Sequence, residues 1–191
     1  MECEWYGDPT RRFSVEHILR VVDQLVKPRY KHIHYDVSTH EEFWFLLRKW
    51  TLKRYRSTHP ILYLGFHGKE GAIYLREDKL SPLIQIDEIR EKLRDKCAGR
   101  IIFFGSCETL QGKRWRPTAF LRETKALAVC GYRESVDWML SAAMDLIVLS
   151  AMQEHALDLN GINAIAKRIR ERARGLKNDL GFRIYTREGE A

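Results

Sequence analysis

Two short stretches end on side chains able to do covalent chemistry. Residues 63–71 read YLGFHGKEG, an apolar run that breaks on His67-Gly68. Residues 101–109 read IIFFGSCET, a second run that stops on Ser106-Cys107. A thiolate is a strong nucleophile and a thiol a weak one. An imidazole within reach takes the proton, or holds the thiolate as an ion pair, and later protonates a leaving amine. One thiol and one imidazole over a shared cleft are sufficient for nucleophilic catalysis. Gly68 allows a sharp backbone turn, and its N–H can face a reacting carbonyl oxygen, with the Cys107 N–H as a second donor. Losing one such donor typically costs about 2.7–4 kcal/mol of transition-state stabilisation. A cysteine or a histidine alone at a strand end is more often packing; the joint placement is what points to chemistry.

For that chemistry the two residues must leave neighbouring strands at the same end. ILYLGF (61–66) and IIFFGS (101–106) are almost wholly apolar, the pattern of central strands covered on both faces. Ligands of open α/β sheets bind outside the carboxyl ends of the strands, and adjacent strands lie about 4.8 Å apart. ECEWY (2–6), IHYDV (33–37), ALAVCGY (126–132) and GFRIYT (181–186) supply further strands, the last as a closing edge, and GAIYL (71–75) a small excursion. Between them run helical periods. Val15, Ile18, Leu19, Val22, Leu25 and Val26 form one apolar stripe with Ser14 as N-cap. Phe43, Leu46, Leu47 and Trp50 form another behind a capping box at residues 38–41. Further helices are expected from Asp87, over 118–123, over 135–153 and over 161–176. This alternation predicts an α/β three-layer sandwich: about six strands in a mostly parallel sheet, helices on both faces, one domain over 1–191.

Composition narrows the function classes. The 191 residues are 45% hydrophobic and 31% charged, which suits a folded globular chain. The longest apolar run, 138–152, is too short to span a bilayer and carries Asp145. The first residues lack a signal-peptide pattern, so a cytoplasmic location is expected. Cys3, Cys97, Cys107 and Cys130 contain no C-x-x-C pair, which argues against a zinc knuckle and suits a reducing compartment. KHIHYD (31–36) places His32 and His34 on one strand face near Asp36, without an identifiable third ligand. No metal and no other cofactor is expected. The net charge of +7 and the basic run AKRIRERARGLK (166–177) bring nucleic acid into consideration, with a solvated face as the favoured reading. A nucleotide-binding flavodoxin-like domain is weakened by the lack of a G-x-G-x-x-G or P-loop signature.

FHG after one apolar strand and GSCET after the next resemble caspase-like cysteine peptidases of the caspase–haemoglobinase fold, most closely the CHAT branch. The likeness continues through AFLRETKALAVCGYRESVDW (119–138) and covers about residues 61–150. It implies a Cys-His dyad: Cys107 as nucleophile, His67 as general acid/base, and the N–H groups of Gly68 and Cys107 as oxyanion hole. The separation of 40 residues between them is near the roughly 50 of caspases. It also implies a protein or peptide substrate and, by analogy, a role in prokaryotic defence. The basic loop at 111–117, where a long acidic cleavable linker would stand, argues against activation by internal cutting, so regulation is expected from a protein partner, oligomerisation or an inserted loop. The alternative is an inactive fold of the same kind serving as an adaptor.

Caspases cut after Asp and carry a Gln two places before the nucleophile; Gly105 stands there in this chain. Arg11-Arg12 could still receive an acidic group. Asp8, Glu134 and Asp137 are expected on the same rim as Cys107, where a carboxylate would pair with a substrate Arg or Lys. Cleavage after a basic residue is therefore the favoured reading. Asp137 near a helix start is also explained by the helix dipole alone. Trp115, in the basic loop QGKRWRP (111–117), is a candidate wall of the cleft.

Overall fold

The computed structural model describes residues 1–3, 5, 13–25, 29–75, 82–112 and 115–191. Its centre is a five-stranded sheet built from β1 (Ile61–Leu64), β5 (Ile101–Phe104), β6 (Ala128–Tyr132), β7 (Phe182–Thr186) and β8 (Gly189–Glu190), in that order. β1, β5 and β6 run parallel, with Leu64 opposite Phe104 and Phe104 opposite Gly131. Successive residues of these strands alternate between two cores, and this alternation makes the layers. Leu62, Leu64, Ile102, Phe104 and Val129 face α2 (His40–Trp50), α3 (Ile86–Lys92) and α4 (Pro117–Thr124). Tyr63, Ile101, Phe103, Ala128 and Cys130 face α1 (Glu16–Leu25), α5 (Trp138–Glu154) and α6 (Leu159–Asp179). Helices thus cover both faces, as the doubly apolar strands require.

The sheet departs from the expected mostly parallel one. β7 pairs antiparallel with β6, and β8 antiparallel with β7. Two helices in succession, α5 and α6, separate β6 from β7, so the chain reverses once more than a single crossover allows. β7 is accordingly not the edge. The stretches 2–6 and 33–37 contribute bridges rather than full strands among the described residues: Glu2 pairs with both Gly65 and Asp36. The excursion at 71–75 is one member of a separate antiparallel sheet of β2 (His67–Lys69), β3 (Ala72–Tyr74) and β4 (Leu83–Gln85).

Local signals account for the helix starts. Thr39 caps α2 in a capping box closed by Glu42, and Ser14 accepts the Glu16 N–H at the start of α1. Among the described residues no helix is long and apolar enough to cross a membrane.

Candidate active site

β1 and β5 are hydrogen-bonded neighbours, and their carboxyl ends carry the two stretches singled out by chemistry. After β5 the chain turns through Gly105, Ser106 and Cys107. Gly105 is required by its neighbour: a methyl group there would lie 2.2 Å from the Tyr63 hydroxyl. Ser106 is buried and joins the two strand ends, its hydroxyl donating to the Leu64 carbonyl (3.1 Å) and accepting the Phe66 N–H (3.3 Å). The turn is then tied to β6, because Glu108 N–H donates to the Glu134 carbonyl and Leu110 N–H to the Tyr132 carbonyl. Glu108 takes a left-handed φ of 54° to do so.

Cys107 is half-buried, the other three cysteines buried. Its thiol donates to the Val136 carbonyl at 3.8 Å, and its own carbonyl accepts from the Thr109 hydroxyl at 3.0 Å. Among the described residues its N–H meets no acceptor, which leaves that donor free for a ligand oxygen. Two of the remaining thiols are poor nucleophiles: burial pushes Cys97 up to about 12 and Cys130 well above its ordinary value.

His67 opens β2, opposite Tyr74 of β3, so a hairpin and not a free loop orients it. It is half-buried. Its Nε2 lies 2.6 Å from the Trp5 carbonyl oxygen, and its ring meets the Trp5 ring edge-on at 5.4 Å. A carbonyl only accepts, so Nε2 carries the proton and Nδ1 is the basic nitrogen. Gly68 brings this strand onto the cysteine turn. A methyl on Gly68 would lie 2.1 Å from the Cys107 carbonyl oxygen, 2.4 Å from Thr109 Oγ1 and 2.9 Å from Ser106 Cβ. The expected sharp turn at Gly68 is corrected: its φ is not positive, and the glycine is needed for close approach. His67 is therefore one residue from direct backbone contact with Cys107.

The three acids expected on the rim fare differently. Asp8 lies outside the described residues, as do Arg11 and Arg12. Asp137 is the N-cap of α5, accepting the Leu140 N–H at 3.0 Å, which places it at the helix start where the dipole also favours a carboxylate. Glu134 is exposed, its carbonyl bonded to the cysteine turn and its Cγ lying over Gly181. Trp115, the candidate cleft wall, is half-buried and packs against Phe120 and Tyr185. His32 and His34 do not converge: His32 pairs with Asp23 and His34 with Glu2. The group Glu2, His34 and Asp36 could hold an ion geometrically, but Glu2 is already surrounded by protein donors. Part of the basic face of α6 is neutralised, Arg168 by Glu154 and Lys167 by Glu171.

Two buried carboxylates near the site carried no motif. Glu2, 1% exposed, gathers Trp5, Ser14, Val15 and His34. Asp145, 3% exposed, accepts from the hydroxyls of Tyr63 (2.5 Å) and Tyr132 (2.6 Å). For Asp145 the available signal was an acid inside the apolar run 138–152. Two concavities lie elsewhere, about 170 Å³ at the amino end of β1 and about 260 Å³ beside α2 and Lys92; neither is lined by His67, Gly68 or Cys107.

The chain belongs to the family of unknown function DUF6642, whose profile matches residues 9–186. A search of curated proteins gave no match.

Proposed function

We propose that the chain is a caspase-like cysteine endopeptidase of the CHAT kind, acting through Cys107 and His67. The supporting observation is the packing of Gly68 on the Cys107 carbonyl: it joins a half-buried thiol and an imidazole with a defined basic nitrogen at the carboxyl end of adjacent strands. Family membership supplies no activity, so the reading stands on this geometry and on the FHG and GSCET motifs.

In the proposed reaction, Nδ1 of His67 takes the thiol proton and the Cys107 sulfur attacks the scissile carbonyl carbon. The oxyanion accepts from the Cys107 and Gly68 N–H groups. The imidazolium then protonates the leaving amine as the C–N bond breaks, and water hydrolyses the thioester with His67 as base. Cleavage follows a basic residue, with the exposed carboxylate of Glu134 as the rim group that meets it. A fluorogenic panel with Arg, Lys or Asp before the reporter tests this reading. Turnover of the Arg or Lys peptide, abolished in Cys107→Ala and His67→Ala, is expected. Undiminished turnover in Cys107→Ala overturns it.

A second reading, an inactive partner-binding module, draws on one observation. Phe13, Met139 and Leu140 are exposed apolar residues, and Phe13 packs on Trp138, two residues after the Val136 carbonyl that meets the thiol. Binding of a partner without turnover of any peptide in the panel would favour it.

A further inference from the structure

Glu2 is the most heavily bonded side chain near the site, and the dyad alone gives it no role. Its Oε2 accepts from Trp5 Nε1 (2.9 Å) and from the Val15 N–H (3.0 Å). Its Oε1 accepts from the Ser14 hydroxyl and lies 2.5 Å from His34 Nε2. Asp36, whose carboxylate is 3.9 Å from the same His34 nitrogen, and the Met1 ammonium are further charged groups at this cluster. The Glu2 backbone is held as well, its N–H donating to the Tyr35 carbonyl and its carbonyl accepting from the Val37 N–H. The carboxylate is thus rigidly placed before it meets the indole.

The consequence passes through Trp5. Glu2 grips this residue by its indole N–H, and the carbonyl of the same residue receives Nε2–H of His67 while its ring packs against the imidazole. Fixing one end of Trp5 fixes the other. We infer that Glu2 and Trp5 are positioning residues that hold His67 in the Nε2–H tautomer and so direct its basic Nδ1 to the thiol proton. This rests on the dyad reading and extends it to the residues that set the tautomer. Neither side chain touches substrate; both act on the imidazole.

Two variants of the full chain test the inference. Trp5→Phe keeps the carbonyl and an aromatic ring but deletes the Nε1–H; Glu2→Gln keeps the size and removes the charge. The rate of Cys107 alkylation by iodoacetamide is followed against pH by peptide mass spectrometry, beside kcat and KM on the best peptide of the panel. In the wild type the alkylation profile carries a limb that is lost in His67→Ala. Both variants are expected to displace that limb toward the His67→Ala profile. They should lower kcat roughly tenfold, less than the 10²–10⁴-fold that the acid–base group itself contributes, with KM within about twofold of wild type. A merely structural role would leave the limb in place. Should Glu2→Gln fail to fold, Trp5→Phe decides alone. Folded Trp5→Phe with wild-type profile and kcat overturns the inference and leaves the dyad standing. A His67→Ala profile identical to wild type removes the dyad, and this inference with it.

Discussion

Behind His67 stands Glu2; beneath the turn that carries Cys107 stands Asp145. Both carboxylates are almost wholly buried, and burial disfavours the charge of each. Their outcomes are opposite. Desolvation pushes Glu2 up, but bonds from His34, Ser14, the Val15 N–H and Trp5 outweigh it and hold the carboxyl below its usual value. Asp145 receives two neutral phenols, and for it desolvation wins: its pKa is pushed up to about 7. Desolvation, reinforced by the nearby Asp145 charge, likewise raises the Tyr63 and Tyr132 hydroxyls well above their ordinary value. The number and kind of donors decide the charge state of a buried acid, not its depth. One half of the site is therefore anchored by an ionised group, and the other by a group close to its midpoint at neutral pH.

Substitutions that break this contrast should rank by how many buried donors they strand. Glu2→Leu leaves the Trp5, Ser14, Val15 and His34 donors unmet and is expected to cost about 3–5 kcal/mol in urea unfolding. The second test is the pH dependence of stability. Asp145 has a folded pKa above its ordinary 3.8, so the folded state binds the extra proton. Its contribution is present below about pH 4 and is lost as pH rises to about 7, by up to about 4 kcal/mol. Glu2 works in the other direction, contributing above 4.5 and losing that contribution as pH falls through its lowered folded pKa. Urea titrations across pH 3–9 should show Asp145→Asn flattening the neutral limb and Glu2→Gln the acid limb.

Smaller effects probe how Asp145 communicates with the thiol. Gly105→Ala forces a methyl to within 2.2 Å of the Tyr63 hydroxyl that binds Asp145, and should cost about 1–3 kcal/mol while displacing the cysteine turn. Its loss of peptide turnover should exceed its loss of stability. Thr109→Val removes only the hydroxyl that holds the Cys107 carbonyl, and is expected to cost about 1 kcal/mol by the same denaturation assay.

Much of this frame was legible in the residues. The doubly apolar runs at 61–66 and 101–106 did become adjacent parallel strands with helices on both faces, because a strand without a polar side must be covered twice. The placement of His67 and Cys107 at one end followed from that. What escaped was carried by groups without a side-chain signature or by distant partners. The acceptor for His67 is a backbone carbonyl 62 positions away, and Asp145 meets Tyr63 across 82 positions. The antiparallel entry of β7 depended on α5 and α6 following one another without a strand between them. Gly68 looked like a turn residue, and only the proximity of the Cys107 carbonyl reveals why it has no side chain.

The central claim is that one thiol of four is activated by one imidazole. A peptidyl acyloxymethyl ketone carrying Lys beside its reactive carbon, with intact-mass and peptide mapping, tests it most directly. The account predicts one equivalent of label on Cys107, none in Cys107→Ala, and strongly slowed labelling in His67→Ala. Label on Cys3, Cys97 or Cys130, or an unchanged rate in His67→Ala, would contradict it.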